Sequence, residues 1–496
     1  MMVDLWNIYQ YNIMSAKGTS LNTEPSKRTR KPSKKASLKP IGTSLNEPAP
    51  SKRTKRKPPS RTKKVSLNVG SISLNDTPVS ETAYNETMRK ISNFRRKTAS
   101  RKVGSFMTKH RSKIRLLFLN TICTDSNVCI AFGKETKLIR EFFNNFELRL
   151  MSRAPRVIGV PSDNGVIRLL TFEKEGYVAN AIFKTSNHQI SDNLAYEAIV
   201  GRFLNKQKIR FPCFLETYGL YYNSHVDKKI TRFKKMDINK ENLIRSCKYP
   251  LSVGIMIENI KDSYTLHYII SSYMNSDTNY LNFMNNHLLY ILYQIYAPLS
   301  MLSEVFTHYD LHGNNVMLYT VENNKYLRYH YHYPEKTVSF NSAYIVKIID
   351  YGRCFFKDDV YNPYDIYLDL CGSDSCVACG KYSGFDWLGP DKHYSSQERN
   401  MSEDLKLLKF ITEYKPTYHK DLLKLVNSAV YLYDDETPEL VGENEKKIFN
   451  VNDARRHLEK VMKKMFFKKN NDYDIVNKLG EMHIYSDGRP MEYKPV

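Results

Sequence analysis

The sequence lacks long apolar runs, and this absence argues against a protein that spans a membrane. No stretch of about 18 apolar residues occurs in the 496 residues, so a membrane span is not expected. Residues 1–18 contain no basic segment followed by a long apolar one, so secretion is not expected either. The eight cysteines show no regular spacing over most of the chain. Free thiols in a reducing intracellular compartment are therefore the default expectation.

Acidic residues are scarce in the first part of the chain. Residues 1–115 contain 27 Lys and Arg against 6 Asp and Glu, a net charge of +21, whereas the remainder contains 48 against 46. The segment 18–38 recurs imperfectly at 42–67 and is rich in Ser, Pro, Lys and Thr. Such a composition cannot bury enough surface to offset its ordering entropy. We expect residues 1–112 to be a disordered basic tail, which is either a solubilising linker or an arm that binds nucleic acid or another polyanion or, given KRTKRK at 52–57, directs the chain to the nucleus.

The remaining sequence alternates strand-like and helix-like segments. The predicted elements are, in order, a helical lead-in (113–150), short strands broken by glycine (156–184), an amphipathic helix (191–207), a buried strand (249–260), a long apolar helix (286–306) and another apolar strand (343–352). Mostly helical sequence is expected after that. This order predicts an α+β body that is sheet-rich at first and helical later.

A cluster of polar residues follows the predicted long helix. The stretch FTHYDLHGNNVML (306–318) places Asp310 and Asn315 five residues apart, which spans a short loop rather than one helical face. Further along, KIIDYG ends an apolar strand on Asp350, two residues before a glycine that permits unusual backbone angles. Phosphoryl transfer needs a cation on the phosphates, carboxylate and amide ligands for Mg²⁺, and an acceptor for the hydroxyl proton. These segments supply the ligands and the proton acceptor.

In order and spacing, the two segments resemble the protein kinase superfamily, in which His-Arg-Asp-Leu-x-x-x-Asn is followed by Asp-Phe-Gly. The stretches YDLHGNNVMLY and KIIDYGRCFF are similar to kinase-like proteins encoded by large DNA viruses. The resemblance implies a bilobal protein-kinase-like fold. Its parts would be a small β-rich N-lobe (151–260), a larger helical C-lobe (261–470) and a C-terminal tail (471–496).

The resemblance also implies catalytic and metal-binding roles. Lys184 in YVANAIFKTS would hold the α- and β-phosphates of ATP, and Glu197 would orient Lys184. Asp310 would be the catalytic base that accepts the proton of the substrate hydroxyl. Asn315 and Asp350 would bind Mg²⁺.

Further residues would support the nucleotide and the catalytic loop. His308 would brace the loop by hydrogen bonding, and Asp404 resembles the buried aspartate of the central helix of the large lobe. The residues that the resemblance implies for ATP binding are Gly159, Gly165, Lys184, the gatekeeper Ile257, Glu258 and Ile260.

The chain departs from the family pattern in several places. The glycine-rich loop has only Gly159 and Gly165, with Pro161 between them. Tyr309 replaces the arginine that normally receives an activation-loop phosphate, so switching by that route is not expected. His312 replaces the usual lysine, and a histidine there is similar to small-molecule kinases related to aminoglycoside phosphotransferases. No clear Ala-Pro-Glu segment follows.

Cysteines cluster in CGSDSCVACG, at Cys371, Cys376 and Cys379. The spacing C-x₂-C is typical of zinc knuckles, and His393 or Cys354 could supply a fourth ligand. A single cluster without a second pair favours free thiols, with a structural Zn²⁺ as the alternative.

The leading hypothesis is a serine/threonine protein kinase that uses ATP and Mg²⁺ to phosphorylate a protein hydroxyl. A small-molecule kinase is the alternative among enzymes, and a pseudokinase scaffold tethered by the basic tail is the alternative outside them. Because the lysine, the base and the metal aspartate are all present, catalysis is favoured over scaffolding. An intracellular location is expected, in the host cytoplasm or nucleus if the chain is viral, with packaging in the virion as a further option.

Overall fold

The structure, a computed structural model, describes residues 148–495 apart from several short segments, together with two dipeptides at 122–123 and 129–130. The segments after residue 148 that lie outside the described residues are 163–164, 175–176, 187–192, 225–228, 249–251, 261–262, 275, 322–324, 359–385, 390–391, 396–397, 415–419, 431–446 and 469–476. The predicted tail at 1–112 and the cysteine cluster at 371–379 therefore lie outside the described residues. All described residues belong to one compact unit, Asn75–Val496.

The described residues form a mixture of strands and helices, as predicted for an α+β protein. The strands are β1 (Ile122–Cys123), β2 (Cys129–Ile130), β3 (Arg156–Ser162), β4 (Gly165–Lys174), β5 (Tyr177–Thr185), β6 (Thr217–Asn223), β7 (Lys234–Met236), β8 (Ser252–Glu258), β9 (Ser263–Thr265), β10 (Phe306–Thr307), β11 (Val316–Thr320), β12 (Tyr326–His332), β13 (Thr337–Ser342), β14 (Tyr344–Ile348), β15 (Phe355–Phe356), β16 (Asp386–Gly389), β17 (Lys392–Ser395), β18 (Lys478–Tyr485) and β19 (Glu492–Pro495). The α-helices are α1 (Asn193–Gln207), α2 (Lys240–Lys248), α3 (Leu266–Tyr273), α4 (Asp277–Asn286), α5 (Leu288–Met301), α6 (Lys406–Glu413), α7 (Lys420–Asn427) and α8 (Val451–Lys468).

A six-stranded antiparallel sheet occupies the first part of the body, in the order β3-β4-β5-β8-β6-β7. Residues of β5 and β8 such as Phe183 and Ile255 are fully buried, as expected for apolar strands in the middle of a covered sheet. Helix α1 packs on β6 and β8 and buries Tyr196, Ile199 and Leu204. Because β5 pairs with β8, it lies in the middle of the sheet, and Lys184 near its end is held at a fixed position.

The predicted long apolar helix corresponds to α5. Every residue from Leu288 to Leu299 except Tyr290 is buried, as expected for a helix that is apolar on all sides. Helix α5 packs against α8, β13 and β14. It therefore forms the centre of the second part of the body, and the chain leaves it to enter β10.

A four-stranded sheet, in the order β13-β12-β18-β19, also belongs to the second part of the body. Strands β18 and β19 of this sheet come from the sequence after 352, where α6, α7 and α8 contain more of the described residues than the strands do. The segment 471–496, predicted as a C-terminal tail, contributes β18 and β19, and β18 pairs in parallel with β12. The sequence contains a corresponding pattern, because apolar or aromatic residues alternate with polar ones along LRYHYH (327–332) and EMHI (481–484), and the apolar or aromatic members are buried.

The predicted helical lead-in at 113–150 lies largely outside the described residues. Within it, the described parts are β1 paired with β2 and a short 3₁₀ turn at Leu148–Leu150. Among the described residues, no helix is long and apolar enough to cross a membrane.

Candidate active site

Two loops of the second part of the body lie side by side because short strand pairs hold both of their ends. Residues 308–315 connect β10 to β11, and residues 349–354 connect β14 to β15. Strand β10 pairs with β15, and β11 pairs with β14. The backbone N–H of Ile349 donates to the carbonyl of Asn315 at 3.0 Å and joins the two loops directly.

Each loop contains one residue in an unfavourable backbone conformation. Among the described residues, the non-glycine residues with positive φ are Tyr309 (φ 64°) and Asp350 (φ 69°). Such conformations cost about 1–3 kcal/mol each and persist only where the surroundings impose them, often at functional sites. Two residues predicted to lie at or beside the catalytic groups therefore carry this strain.

The buried carboxylate of Asp404 holds the first loop in its strained form. It accepts hydrogen bonds from the backbone N–H groups of His308 at 2.9 Å and Tyr309 at 3.0 Å. Burial raises the pKa of Asp404 to about 7, and the two hydrogen bonds limit this rise. Asp404 lies in a 3₁₀ turn, Glu403–Leu405, directly before α6 rather than inside a long helix.

His308 connects the two loops through its side chain. Its Nε2 lies 3.0 Å from the carbonyl oxygen of Ile349, and the residue is completely buried. Burial lowers the pKa of His308, although Asp310 and Asp350 oppose this effect. The thiol of Cys354 donates to the His308 carbonyl at 3.5 Å, so this cysteine, considered above as a zinc ligand, is part of the loop support.

The structure brings together Lys184, Glu197 and Asp350, three residues that the resemblance assigns to one site. The Nζ of Lys184 lies 2.8 Å from Glu197 Oε2 and 2.8 Å from Asp350 Oδ1. The side chain of Glu197 is only 5% exposed, whereas that of Asp350 is 47% exposed. We call these three residues the Lys184 group. It spans β5, α1 and the loop after β14.

The ionisation of the Lys184 group follows from this geometry. Burial opposes the charged form of Lys184, but Asp350 and Glu197 outweigh it and hold the pKa of Lys184 above its ordinary value. The ammonium group of Lys184 lowers the pKa of Asp350, and burial only partly offsets this lowering. Burial raises the pKa of Glu197, and Lys184 limits the rise. One lysine thus serves two carboxylates.

Asp310 and Asn315 are held in place by neighbours on both loops. The Nη1 of Arg353 lies 3.3 Å from Asp310 Oδ2, and the Nε2 of His312 lies 3.8 Å from Asp310 Oδ1. The Nδ2 of Asn315 donates to the backbone carbonyl of Asp310 at 2.9 Å. With its amide nitrogen used in this way, the remaining polar atom of the Asn315 side chain is its oxygen, which suits Mg²⁺.

The two glycines predicted to cover the nucleotide lie in the β3–β4 hairpin. Gly159 lies within β3, where the register with β4 is irregular between Ile158 and Ser162. Gly165 begins β4, and a Cβ atom there would lie 2.4 Å from the carbonyl oxygen of Thr185. A close approach to β5 therefore requires glycine at 165 whether or not a nucleotide binds.

The predicted adenine-facing residues are mostly engaged with the protein itself. Ile257 is half-buried on β8, whereas the N–H of Glu258 donates to the carbonyl of Glu216 at 2.8 Å. The carbonyl of the buried Ile260 accepts from the Ser263 hydroxyl at 2.7 Å. The side chain of Glu258 is buried, so it does not line an open cleft.

The carboxylate of Glu258 belongs to a group of buried charges that sequence reasoning missed. It lies 2.6 Å from Lys208 Nζ and 3.6 Å from Lys347 Nζ, and Glu216 lies 3.5 Å from Lys208. We call Lys208, Glu216, Glu258 and Lys347 the sealed cluster, because none of these side chains is more than 9% exposed. Arg353 beside Asp310 was also missed, although it directly follows the Asp-Tyr-Gly segment.

Of the remaining residues predicted to bind zinc, only His393 lies within the described part of the chain. His393 lies on β17, which forms a two-stranded antiparallel sheet with β16, and Cys371, Cys376 and Cys379 lie outside the described residues.

The chain was compared with family models, curated protein sequences and solved structures. No family model and no curated protein sequence matches the chain. Among the solved structures that match, one is a crystal structure of a kinase domain with 15% sequence identity and a TM-score of 0.25. The match covers 45% of this chain and 61% of that chain, so this chain spans less than two thirds of the neighbour. A likeness at this TM-score carries no argument about the chain, so the site rests on its side-chain geometry.

Proposed function

We propose that the chain is a phosphotransferase that uses ATP and Mg²⁺, with a bilobal kinase-like fold and a protein serine or threonine as the leading acceptor. The observation that carries this proposal is the Lys184 group. A lysine from the first sheet contacts a carboxylate 13 residues away on a helix and another 166 residues away on a loop, each at 2.8 Å. The second carboxylate adjoins the loop that holds Asp310 and Asn315.

The donor groups of the site fit a magnesium ion. Asp350 offers a half-exposed carboxylate, and Asn315 offers an amide oxygen, both of which are hard oxygen ligands. Magnesium, when bound, would neutralise the charge on the phosphates. The Lys184 group supports this assignment because it holds one lysine against two carboxylates, which leaves one negative charge for a second cation.

The chain's own residues account for the remaining steps. Lys184 would bind the phosphates, and Glu197 would keep its ammonium group in place. Asp310 would accept the proton from the acceptor hydroxyl, while Arg353 would keep its carboxylate oriented and the hydrogen bond from Asn315 would hold its backbone carbonyl. Asp404 and His308 would position the loop without contacting the substrate.

The test is phosphate transfer from labelled ATP to casein, myelin basic protein and the chain itself. Asp310→Asn should lower turnover by about 10²–10⁴-fold, the scale of a positioned acid–base group, and should leave the urea unfolding midpoint unchanged. Arg399→Gln, which alters a charged side chain outside the two loops, serves as the control. Equal turnover of Asp310→Asn and the parent would contradict the role of Asp310.

A small-molecule acceptor is the second candidate, and His312 favours it. This histidine lies 3.8 Å from the Asp310 carboxylate, where it could contact a compact hydroxyl substrate. Phosphate transfer to sugars or aminoglycosides but not to proteins would select this candidate. Nucleotide binding without transfer to any acceptor would instead select a pseudokinase scaffold.

The basic segment 1–112 is proposed as a polyanion-binding arm. Its excess of Lys and Arg predicts binding that weakens steeply as salt rises, because bound counterions are released. Deleting 1–110 should leave phosphate transfer nearly unchanged and abolish retention on heparin or DNA columns at about 0.15 M salt. Strong retention of the truncated chain would assign polyanion binding to the body instead.

A further inference from the structure

One face of the four-stranded sheet carries three histidines and a glutamate in neighbouring positions. Along β12 the residues at 327, 329 and 331 are buried, so His330 and His332 lie on the opposite face. Along β18 the residues at 480, 482 and 484 are buried, so Glu481 and His483 lie on the opposite face. The parallel register pairs His330 with His483. The side chains of both strands therefore meet on this outward face.

Three of these side chains point their ligand atoms at one another. The Nε2 atoms of His330 and His483 lie 3.8 Å and 3.6 Å from Glu481 Oε2. The three atoms all lie within 4.8 Å of one another. Both Nε2 atoms are buried and have no hydrogen-bond partner within the described residues. Burying such atoms without a partner is unfavourable, so a bound ligand would remove that penalty.

The protein already holds the second ring nitrogen of each histidine and the second carboxylate oxygen of Glu481. His330 Nδ1 lies 2.8 Å from Ser339 Oγ, and His483 Nδ1 lies 3.0 Å from His332 Nε2. Lys478 donates to Glu481 Oε1 at 2.9 Å, so Oε2 is the oxygen that faces the imidazoles. Metal-binding histidines are characteristically oriented by such a contact at the second ring nitrogen.

We propose that His330, Glu481 and His483 bind Zn²⁺. Two imidazole nitrogens and one carboxylate oxygen form a common zinc ligand set, with water in the fourth position, whereas Mg²⁺ prefers oxygen ligands alone. A tetrahedral ion with bonds of 2.0–2.1 Å separates its ligands by roughly 3.4 Å. The two measured nitrogen–oxygen distances of 3.6 Å and 3.8 Å are only slightly longer than that.

Binding of Zn²⁺ requires one histidine ring to turn, and two nearby positive charges oppose it. The rings of His330 and His483 stack at 4.7 Å with an angle of 12° between their planes, so at least one ring must turn to direct its lone pair at a shared ion. The positive charge of Arg328 opposes a cation at His330, and that of Lys494 opposes a cation at His483. A bound ion would join β12 to β18 and thereby attach the strands of 478–495 to the rest of the sheet.

The experiment measures Zn²⁺ affinity by competition with a chromophoric chelator. Because the cysteine cluster could bind zinc separately, the full chain carries Cys371→Ser, Cys376→Ser and Cys379→Ser as the background. His330→Gln and His483→Gln remove the proposed ligands. His457→Gln, a half-buried histidine on α8, is the matched control.

The expected result is that the background binds one Zn²⁺ and the His457 variant binds it equally well. His330→Gln and His483→Gln should each weaken binding by more than about 10-fold, since even losing a supporting contact costs 10–100-fold. Excess Mg²⁺ should not compete. Absence of zinc binding by the background, or unchanged affinity in both ligand variants, would overturn the proposal.

A second variant keeps the test decisive if the ligand variants fail to fold. Ser339→Ala removes the contact at His330 Nδ1 without changing a ligand, and circular dichroism checks that the variant is folded. It should bind Zn²⁺ about 10–100-fold more weakly. The Co²⁺ form of the background should show visible bands without thiolate charge transfer, whereas unchanged affinity in Ser339→Ala or a thiolate spectrum would assign the zinc elsewhere.

Discussion

The Lys184 group and the sealed cluster both pair lysine with carboxylates, and they differ in access to solvent. In the Lys184 group, the lysine is 22% exposed and Asp350 is 47% exposed. In the sealed cluster, Lys347 and Glu216 are 0% exposed. The two groups also differ in charge balance. The Lys184 group has one lysine and two carboxylates, whereas the sealed cluster has two lysines and two carboxylates.

Solvent access and charge balance decide whether a group of charged side chains can contact a charged ligand or only stabilise the fold. Charges that are balanced and completely buried have no route to a ligand, and their loss leaves a partner without compensation. An unbalanced, half-exposed group can exchange protein contacts for contacts with a charged ligand. Ion pairing alone would not distinguish the two groups, because both contain contacts between lysine and carboxylate shorter than 3 Å.

The largest expected effect is on stability and concerns Lys347. Lys347→Met should lower the free energy of unfolding by about 3–5 kcal/mol, because removing one partner leaves a buried carboxylate uncompensated. Lys184→Met should cost less, since Asp350 is half-exposed and stays close to Arg353, and the buried Glu197 can take up a proton because burial already raises its pKa to about 7. Urea unfolding of both variants measures the difference.

A double variant tests the cause of that loss. Lys347→Met combined with Glu258→Gln removes the uncompensated carboxylate together with the lysine, so it should be more stable than Lys347→Met alone. If Lys184→Met and Lys347→Met cost the same, solvent access does not separate the two groups.

A smaller effect is expected on acid stability, through Glu258. Burial opposes its charged form, but Lys208 and Lys347 outweigh burial and lower the pKa of Glu258 to about 2 from an ordinary value of 4.5. Because the folded-state pKa is lowered, this carboxylate stabilises the fold above pH 4.5, and the contribution disappears as the pH falls towards 2. Its size is on the order of 3 kcal/mol.

The measurement is urea unfolding of the parent and of Glu258→Gln across this pH window. The parent should be more stable at neutral pH, and the gap should close as the pH falls, since the variant has no carboxylate to protonate. Glu335→Gln, at an exposed position, should show a small gap that does not change. A constant gap for Glu258→Gln would mean that its carboxylate is not coupled to the two lysines.

The site could be predicted from sequence far better than the sealed cluster could. His308, Asp310, Asn315 and Asp350 lie in two short segments whose order and spacing resemble a known family, and the structure brings those segments together. Lys184 and Glu197 are also near in sequence, one at the end of a strand and the other in the next helix. Local patterns therefore contained most of the information.

The sealed cluster depends on tertiary contacts between distant residues. Lys208 and Glu258 are 50 residues apart, and in sequence each resembles an ordinary surface residue. Lys347 offered one signal, since it interrupts the apolar strand Tyr344–Ile348 and is still completely buried. Likewise, the pairing of β12 with β18 joins segments more than a hundred residues apart, so alternation could indicate the strands but not their partners.

The smallest expected effect concerns the dependence of nucleotide binding on magnesium, and it tests the Lys184 group directly. A ligand that binds only the folded state raises its stability by RT ln(1 + [L]/Kd), so thermal shift reports affinity. If Asp350 binds the ion, Mg·ATP should stabilise the parent more than ATP with EDTA, and a tenfold difference in affinity corresponds to about 1.4 kcal/mol. Asp350→Asn should erase that difference. Asparagine is the suitable substitution because it tolerates the positive φ of 69° at this position.

Two further variants separate loss of the metal site from loss of the nucleotide site. Lys184→Met should weaken ATP binding with or without Mg²⁺, since lysine contacts the phosphates directly. Asp358→Asn, eight residues after Asp350 and paired with Lys206 at 2.9 Å, should keep the full magnesium difference. If Mg²⁺ makes no difference to the parent, Asp350 and Asn315 do not form a metal site. The half-exposed Lys184 group would then be structural like the sealed cluster, and the scaffold would become the better hypothesis.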